Sequence, residues 1–221
     1  MTRKNTLTGA QPAEIDAFLA AARMTAGKGL VQCSSGNLSG RIGNGCLLIK
    51  GSRSWMERLT PSNLAVCRIA DGAFLSGAKP SVETAFHAGI LRIRPEAGAV
   101  LHFQSPFATA VACRRDARRL NWNLTPEFPY YIGSVGFVPF RMPGSPELAE
   151  AVVAQARSHA MLILENHGQV TFGATYEEAI QRAVFFEMTC ALVMRTGSAL
   201  RPLAKKEAAR LVAMGRGAKA V

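Results

Sequence analysis

Apolar and polar positions alternate along the chain in two periods, and the changes between them fall at glycine, proline and asparagine. Ile15, Phe18, Leu19 and Ala22 recur at helical spacing between about Pro12 and Ala26, behind a proline suited to a first turn, and Gly27-Lys28-Gly29 ends the run. Turn-rich Ser34 to Gly40 leads into strand-like Arg41-Ile42. Gly43-Asn44-Gly45 is a strong hairpin signal joining it to a second strand, Cys46 to Lys50. Leu64 to Ile69 reads as a further strand, closed by a turn at Asp71-Gly72. Ser81 to Ile93 has a helical period, with Ser81 at its start and Glu83 in the first turn, where the helix dipole favours a carboxylate. His87 lies four residues on, along the same face, and reads as a packed or hydrogen-bonded core histidine.

The second half alternates in the same way. Ala99 to Phe103 is a strand, and a helix runs from Ser105 to about Arg115. Residues 121–136, aromatic and proline-rich, show no period; Gly136 to Phe140 is strand-like. Ser145 caps a helix that opens on Pro146 and runs to about Ser158. Met161 to Leu164 and Gln169 to Phe172 are strands joined through Asn166-His167-Gly168. A long helix spans about Thr175 to Arg195, a basic amphipathic one about Ala204 to Met214, and from Gly215 the chain should fray. Tight reversals at 43–45 and 166–168 leave no room for crossovers, so the pattern predicts an α/β fold with a mixed sheet flanked by helices.

Chemistry concentrates where these elements end. In Ala99-Val100-Leu101-His102-Phe103-Gln104-Ser105-Pro106, His102 and Gln104 are two residues apart and leave an extended chain on one face, at the end of a strand where α/β sheets place active sites. Glu83 and His167 could complete a site with them.

Composition limits the rest. The 221 residues, 48% hydrophobic, suit a single domain with a core from about 12 to 197 and a basic C-terminal helix and tail over 198–221. No apolar run approaches the roughly 18 residues a membrane span needs, and no apolar segment follows the charged start as a signal peptide requires. Five cysteines, odd in number and without a C-x-x-C pair, read as reduced thiols of a cytoplasmic protein. The formal charge of +11 gathers at residues 114–119 and 201–219 without interleaved aromatics. It reads as solvated helical faces and as a field that steers an anionic small molecule, not as a nucleic-acid surface.

The landmarks Gly36-Asn37-Leu38-Ser39, Lys50-Gly51-Ser52, Lys79-Pro80-Ser81-Val82-Glu83 with His87, His102 to Pro106, and Glu165-Asn166-His167-Gly168 followed by Gly173 to Glu187 occur in that order. Together they resemble the class II aldolase/adducin family over about Pro12 to Gly197, and within it the L-fuculose-phosphate aldolase-like, metal-dependent members. The resemblance implies a three-layer α/β/α sandwich around a mainly antiparallel sheet, assembled as a homotetramer. It also implies a divalent ion, most often zinc (manganese, cobalt or magnesium in its place), held by three histidines. His102 and His167 match two of them; Gln104 stands at the third. An amide oxygen is a harder and weaker ligand than imidazole. Three outcomes stay open: ligation through that oxygen, a stand-off role toward a water or substrate hydroxyl, or a site without metal.

Glu83 matches the family's proton-transfer carboxylate, which favours carbon–carbon cleavage over epimerisation, where aspartate is commoner. Gly36, Asn37, Ser52 and Ser81 match the phosphate pocket. Arg53 and Val82 depart from it, Arg53 offering a bidentate partner to a phosphate or carboxylate. The expected activity is a divalent-metal aldolase acting on a small sugar phosphate through an enediolate. Epimerase, decarboxylase or dehydratase chemistry on the same site, or a non-catalytic adducin-like module, are the alternatives.

Overall fold

The computed structural model describes residues 7–197 and 199–217; the first six residues, Ser198 and the expected frayed end at 218–221 lie outside them. Six helices and eight strands follow in the order α1 (Pro12–Gly27), β1 (Asn37–Ile42), β2 (Cys46–Lys50), β3 (Leu64–Arg68), β4 (Phe74–Gly77), α2 (Thr84–Ile93), β5 (Ala99–Phe103), α3 (Pro106–Ala112), β6 (Val135–Val138), α4 (Pro146–Ala156), β7 (Met161–Leu164), β8 (Gly168–Gly173), α5 (Tyr176–Thr196) and α6 (Lys205–Gly217). The strands form one sheet ordered β4-β3-β2-β1-β5-β8-β7-β6. Every neighbouring pair is antiparallel except β6 with β7.

Alternation along the strands divides the core in two. Leu48, Leu101, Phe103 and Ile163 face α1, α3 and α5. Leu47, Val100, Leu162 and Val170 face α2 and α4. The result is the expected three-layer sandwich around a mainly antiparallel sheet. β5 is buried on both faces along its whole length, which accounts for its unbroken apolar reading.

Several boundaries move from their expected places for local reasons. β1 begins at Asn37, four residues before Arg41, because Asn37 and Ser39 are polar residues that still pair with His102 and Val100 of β5. α2 begins at Thr84, so Glu83 is its N-cap and not a first-turn residue; Ser81 precedes the cap, its hydroxyl accepting from the Glu83 N–H at 3.3 Å. β5 stops at Phe103, which leaves Gln104 outside the strand. α6 runs through Gly215 to Gly217, and a Cβ at Gly215 would lie 2.0 Å from the Tyr130 carbonyl oxygen, so that glycine permits contact and does not end the helix. The unassigned segment holds a turn of π-helix at Phe128–Ile132 and an unanticipated edge strand, β4, lies mostly exposed. All five cysteines are free, and no helix among the described residues is long and apolar enough to cross a membrane.

Gly98 lets β5 start against the following loop: its N–H donates to Gly173 O, and an added Cβ would meet the Ala174 carbonyl oxygen at 2.2 Å. Backbone cannot swing aside as a side chain does. Gly98→Ala should therefore lower stability by about 1–3 kcal/mol in chemical denaturation, whereas an unchanged midpoint would show that the loop yields freely.

Candidate metal centre and substrate cleft

Three elements deliver one ligand atom each to the end of β5. His102 is the penultimate residue of β5, Glu83 caps α2, and His167 stands in the β7–β8 loop, where Asn166 takes a left-handed φ of 56°. The Glu83, His102 and His167 ligand atoms all lie within 4.8 Å of one another. His102 Nε2 is 3.5 Å from Glu83 Oε2, and His167 Nε2 is 3.4 Å from Glu83 Oε1.

Hydrogen bonds fix what those atoms present. His102 Nδ1 donates to the Gln169 carbonyl at 2.8 Å, so in the neutral ring the Nε2 lone pair is aimed at a carboxylate oxygen. Two acceptors facing each other in a buried place call for a cation between them. Glu83 Oε1 and His167 Nδ1 are buried without a hydrogen-bond partner. Burial, with His102 adding to it, brings the His167 pKa down to about 4 against the pull of Glu83, so its ring is an unprotonated donor at neutral pH. Burial pushes the Glu83 carboxyl up, and His102, Asn37, His167 and His87 more than offset it, holding it below its ordinary value. Two imidazoles and a carboxylate are a fitting donor set for zinc or another first-row divalent ion.

The ligand cluster opens into a cleft of about 180 Å3 lined by Ser34, Gly36, Asn37, Lys50, Ser52, Arg53, Ser81, Val82, Glu83, His102, Gln104, Pro143 and His167. Every site residue read from the sequence borders this one space.

Residues 16–194 match the Class II Aldolase and Adducin N-terminal domain. The chain belongs to that family. It is 33% identical over 178 residues to the 3-oxo-tetronate 4-phosphate decarboxylase of Escherichia coli K12, covering 80% of this chain and 82% of that one. It is 34% identical over 172 residues to the 5-methylthioribulose-1-phosphate/5-deoxyribulose-1-phosphate aldolase of Rhodospirillum rubrum, covering 76% and 74%. The crystal structure of Escherichia coli YgbL, named as a candidate aldolase, epimerase or decarboxylase, superposes with a TM-score of 0.83 at 30% identity, covering 90% of this chain and 98% of that one. The two curated relatives are a decarboxylase and an aldolase, and this similarity supports a lyase-type enzyme.

Within this class II aldolase domain Gln104 turns inward. Its amide nitrogen donates to the His167 carbonyl at 2.7 Å and so ties the β7–β8 loop to the end of β5. Gly168 permits that approach, since a Cβ there would sit 2.8 Å from Gln104 Cγ and 3.1 Å from His102 Cε1. Asn37 faces the cleft, but its amide already bonds His87 and Glu83, so of the pocket residues it has the least left for a substrate. Ser52 and Ser81 spend their backbone N–H groups on Lys79 O and Lys50 O, which leaves their hydroxyls. Arg53 is exposed at the cleft wall, on a left-handed φ of 61°.

Two residues escaped sequence reasoning. Lys50 is buried, with Nζ donating to Ser34 O and Gly36 O at 3.0 Å each. Burial brings its pKa down to about 8, partly countered by Glu83. A lysine closing an apolar strand immediately before glycine was the available signal. Ser34, whose carbonyl holds Lys50, carried none.

Dialysis followed by elemental analysis should find about one divalent ion per chain, lost from His102→Ala and from His167→Ala; equal retention by either variant would remove that residue from the centre. Acid stability tests the neighbouring histidine. Burial lowers His87 from 6.5 to about 3, so the unfolded chain binds more protons between those values. Its contribution is complete above pH 6.5 and declines as pH falls, by up to about 1.4 kcal/mol per unit. Denaturation midpoints between pH 7 and 4 should thus fall more steeply for the natural chain than for His87→Phe, and parallel slopes would contradict the burial.

Proposed function

We propose that this protein is a divalent-metal-dependent lyase that removes carbon dioxide from a small 3-oxo sugar-acid phosphate. The observation that carries the reading is the charge inside the cleft: Lys50 and Arg53, two cations of different kind, line the same space as the Glu83, His102 and His167 cluster. A phosphate alone is served by the Ser52 and Ser81 hydroxyls and one cation, whereas a substrate with a phosphate and a carboxylate uses both. The 3-oxo-tetronate 4-phosphate decarboxylases, named for such a substrate, are relatives at 33% identity.

Glu83, His102 and His167 would hold the ion, with Gln104 Oε1, which makes no hydrogen bond to a described residue, as the further donor or water partner. When bound, the ion supplies a fixed positive charge for the negative charge that grows on the substrate carbonyl oxygen. The carbon–carbon bond to the carboxylate breaks, its electron pair moves into the adjacent carbonyl to give an enediolate, and carbon dioxide departs. Glu83 takes a proton from water in the cleft and passes it to the vacated carbon; its Oε1, buried and without a hydrogen-bond partner, is the atom free to do so. A carboxyl held below its ordinary pKa serves as a carrier that takes and delivers a proton. Arg53 binds the anionic end farther from the buried wall, bidentately where the approach allows. Lys50, with two of its N–H groups on Ser34 and Gly36, offers the third to the other end.

Aldol cleavage of a ketose phosphate is the second reading, supported by the Rhodospirillum rubrum relative. It needs a further proton-transfer group for the oxygen of the departing aldehyde, whereas carbon dioxide leaves without one. No tyrosine lines the cleft; Tyr130 and Tyr131 border a separate cavity with Gly133, Ser134 and Val212. Zinc as the ion, a homotetramer as the assembly and the cytoplasm as the setting belong to the same reading, supported by the imidazole donors, the family and the free cysteines.

The metal-loaded protein should release carbon dioxide from 3-oxo-tetronate 4-phosphate and leave ketose phosphates intact. Cleavage of ketose phosphates without decarboxylation would replace the first reading by the second, and neither activity would overturn both. Arg53→Gln should raise KM about tenfold with little change in kcat, the worth of one charge-assisted pair. Glu83→Gln should lower kcat by about 10^2–10^4.

A further inference from the structure

Behind Glu83 lies a buried chain of side chains that the reaction described above does not use. β1 turns Asn37 and Ser39, two residues apart, toward the α2 face of the sheet, and α2 returns His87 to them four residues after Glu83. His87 is fully buried. Its Nδ1 is 2.7 Å from Ser39 Oγ, and its Nε2 makes a short hydrogen bond to Asn37 Oδ1. Asn37 Nδ2 then donates to Glu83 Oε2 at 2.8 Å.

Only one arrangement of protons satisfies every member. The Asn37 amide oxygen accepts, so His87 must donate from Nε2; its Nδ1 is then an acceptor, filled by the Ser39 hydroxyl. The opposite tautomer would set the lone pair of Nε2 against Asn37 Oδ1. Turning the Asn37 amide over would relieve that clash and aim Oδ1 at the Glu83 carboxylate, a worse one in a buried place. His87 and Ser39 therefore choose which end of Asn37 meets Glu83.

We infer that His87, held in its Nε2–H tautomer by Ser39, is a positioning residue that fixes the Asn37 amide and thereby makes the two oxygens of Glu83 unequal. Oε2 is tied to Asn37, and Oε1, which receives no hydrogen bond and lies 3.4 Å from His167 Nε2, is left as the oxygen that moves the proton. The sequence alone reads His87 as a packed or hydrogen-bonded core histidine. The structure adds a direction, from a hydroxyl through an imidazole and an amide to the working carboxylate. This inference rests on the proton-transfer role of Glu83, and its test separates the two.

The tautomer is read directly by 15N NMR of the imidazole in the full-length, metal-loaded protein. His87 should show a protonated Nε2 and an unprotonated Nδ1 at neutral pH, and a protonated Nδ1 would overturn the inference whatever the reaction proves to be. Kinetics read the coupling. His87→Phe should lower kcat at least tenfold with KM within twofold, and the same change placed on Glu83→Gln should lower kcat no more than twofold further. An equal loss in both backgrounds, or none in either, would show that His87 only fills space. Ser39→Ala, which removes one hydroxyl and no bulk, gives a second route should His87→Phe not fold. It should mix the two tautomers and lower kcat about threefold, and a single unchanged tautomer with natural kcat would contradict the chain. If Glu83→Gln itself retains natural kcat, the proton-transfer reading fails while the tautomer measurement still stands or falls alone.

Discussion

The bond from His102 Nδ1 to the Gln169 carbonyl is the interaction on which the site depends. It crosses from β5 to β8, and it can form only in the register that sets His102 opposite Val170 on one side and Asn37 on the other. A slip of one residue would turn His102 into the α3 and α5 layer and bring Leu101 or Phe103 to the centre. The apolar residues that alternate with His102, divided between two cores, hold that register firmly. Hydrophobic packing thus decides where a polar atom points, and the backbone carbonyl decides which nitrogen faces the cleft.

From that fixed atom the rest of the centre follows by closure of loops. The N-cap of α2 brings in Glu83, and the three-residue β7–β8 connection brings in His167, steadied by Gln104. Both are short attachments to buried elements, so little freedom remains where the ligand atoms meet. The costs of burying a carboxylate beside two imidazoles are answered partly by Asn37 and partly by the cation that the facing acceptors invite. Lys50 makes a similar bargain in the same cleft, buried but bonded to two carbonyls. The formal net charge of +11 on the whole chain acts at longer range.

Much of this could be read from the chain. β2 and β7 keep their expected limits because they are apolar runs bounded by turn residues, and the Ser145-Pro146 start of α4 is capped as its residues suggest, Ser145 Oγ accepting from the Leu148 N–H. What escaped was polar within a strand. Asn37 and Ser39 look like loop residues, yet they belong to β1 because their side chains are satisfied across the sheet by Glu83 and His87. Glu83 was placed one step too deep in its helix, since a cap and a first turn share composition. The bonding of Gln104 to the His167 carbonyl joins residues 63 positions apart and leaves no local trace. The convergence of ligands was legible through the family pattern, whereas the hydrogen bonds that aim them required coordinates.

The most direct test is anomalous X-ray diffraction from crystals of the zinc-loaded protein, recorded on both sides of the zinc absorption edge. The account expects one strong peak about 2.0–2.1 Å from His102 Nε2 and from His167 Nε2, with a Glu83 oxygen or a water beside it. A peak bound elsewhere, or two histidine nitrogens still facing Glu83 with no ion between them at saturating zinc, would contradict it.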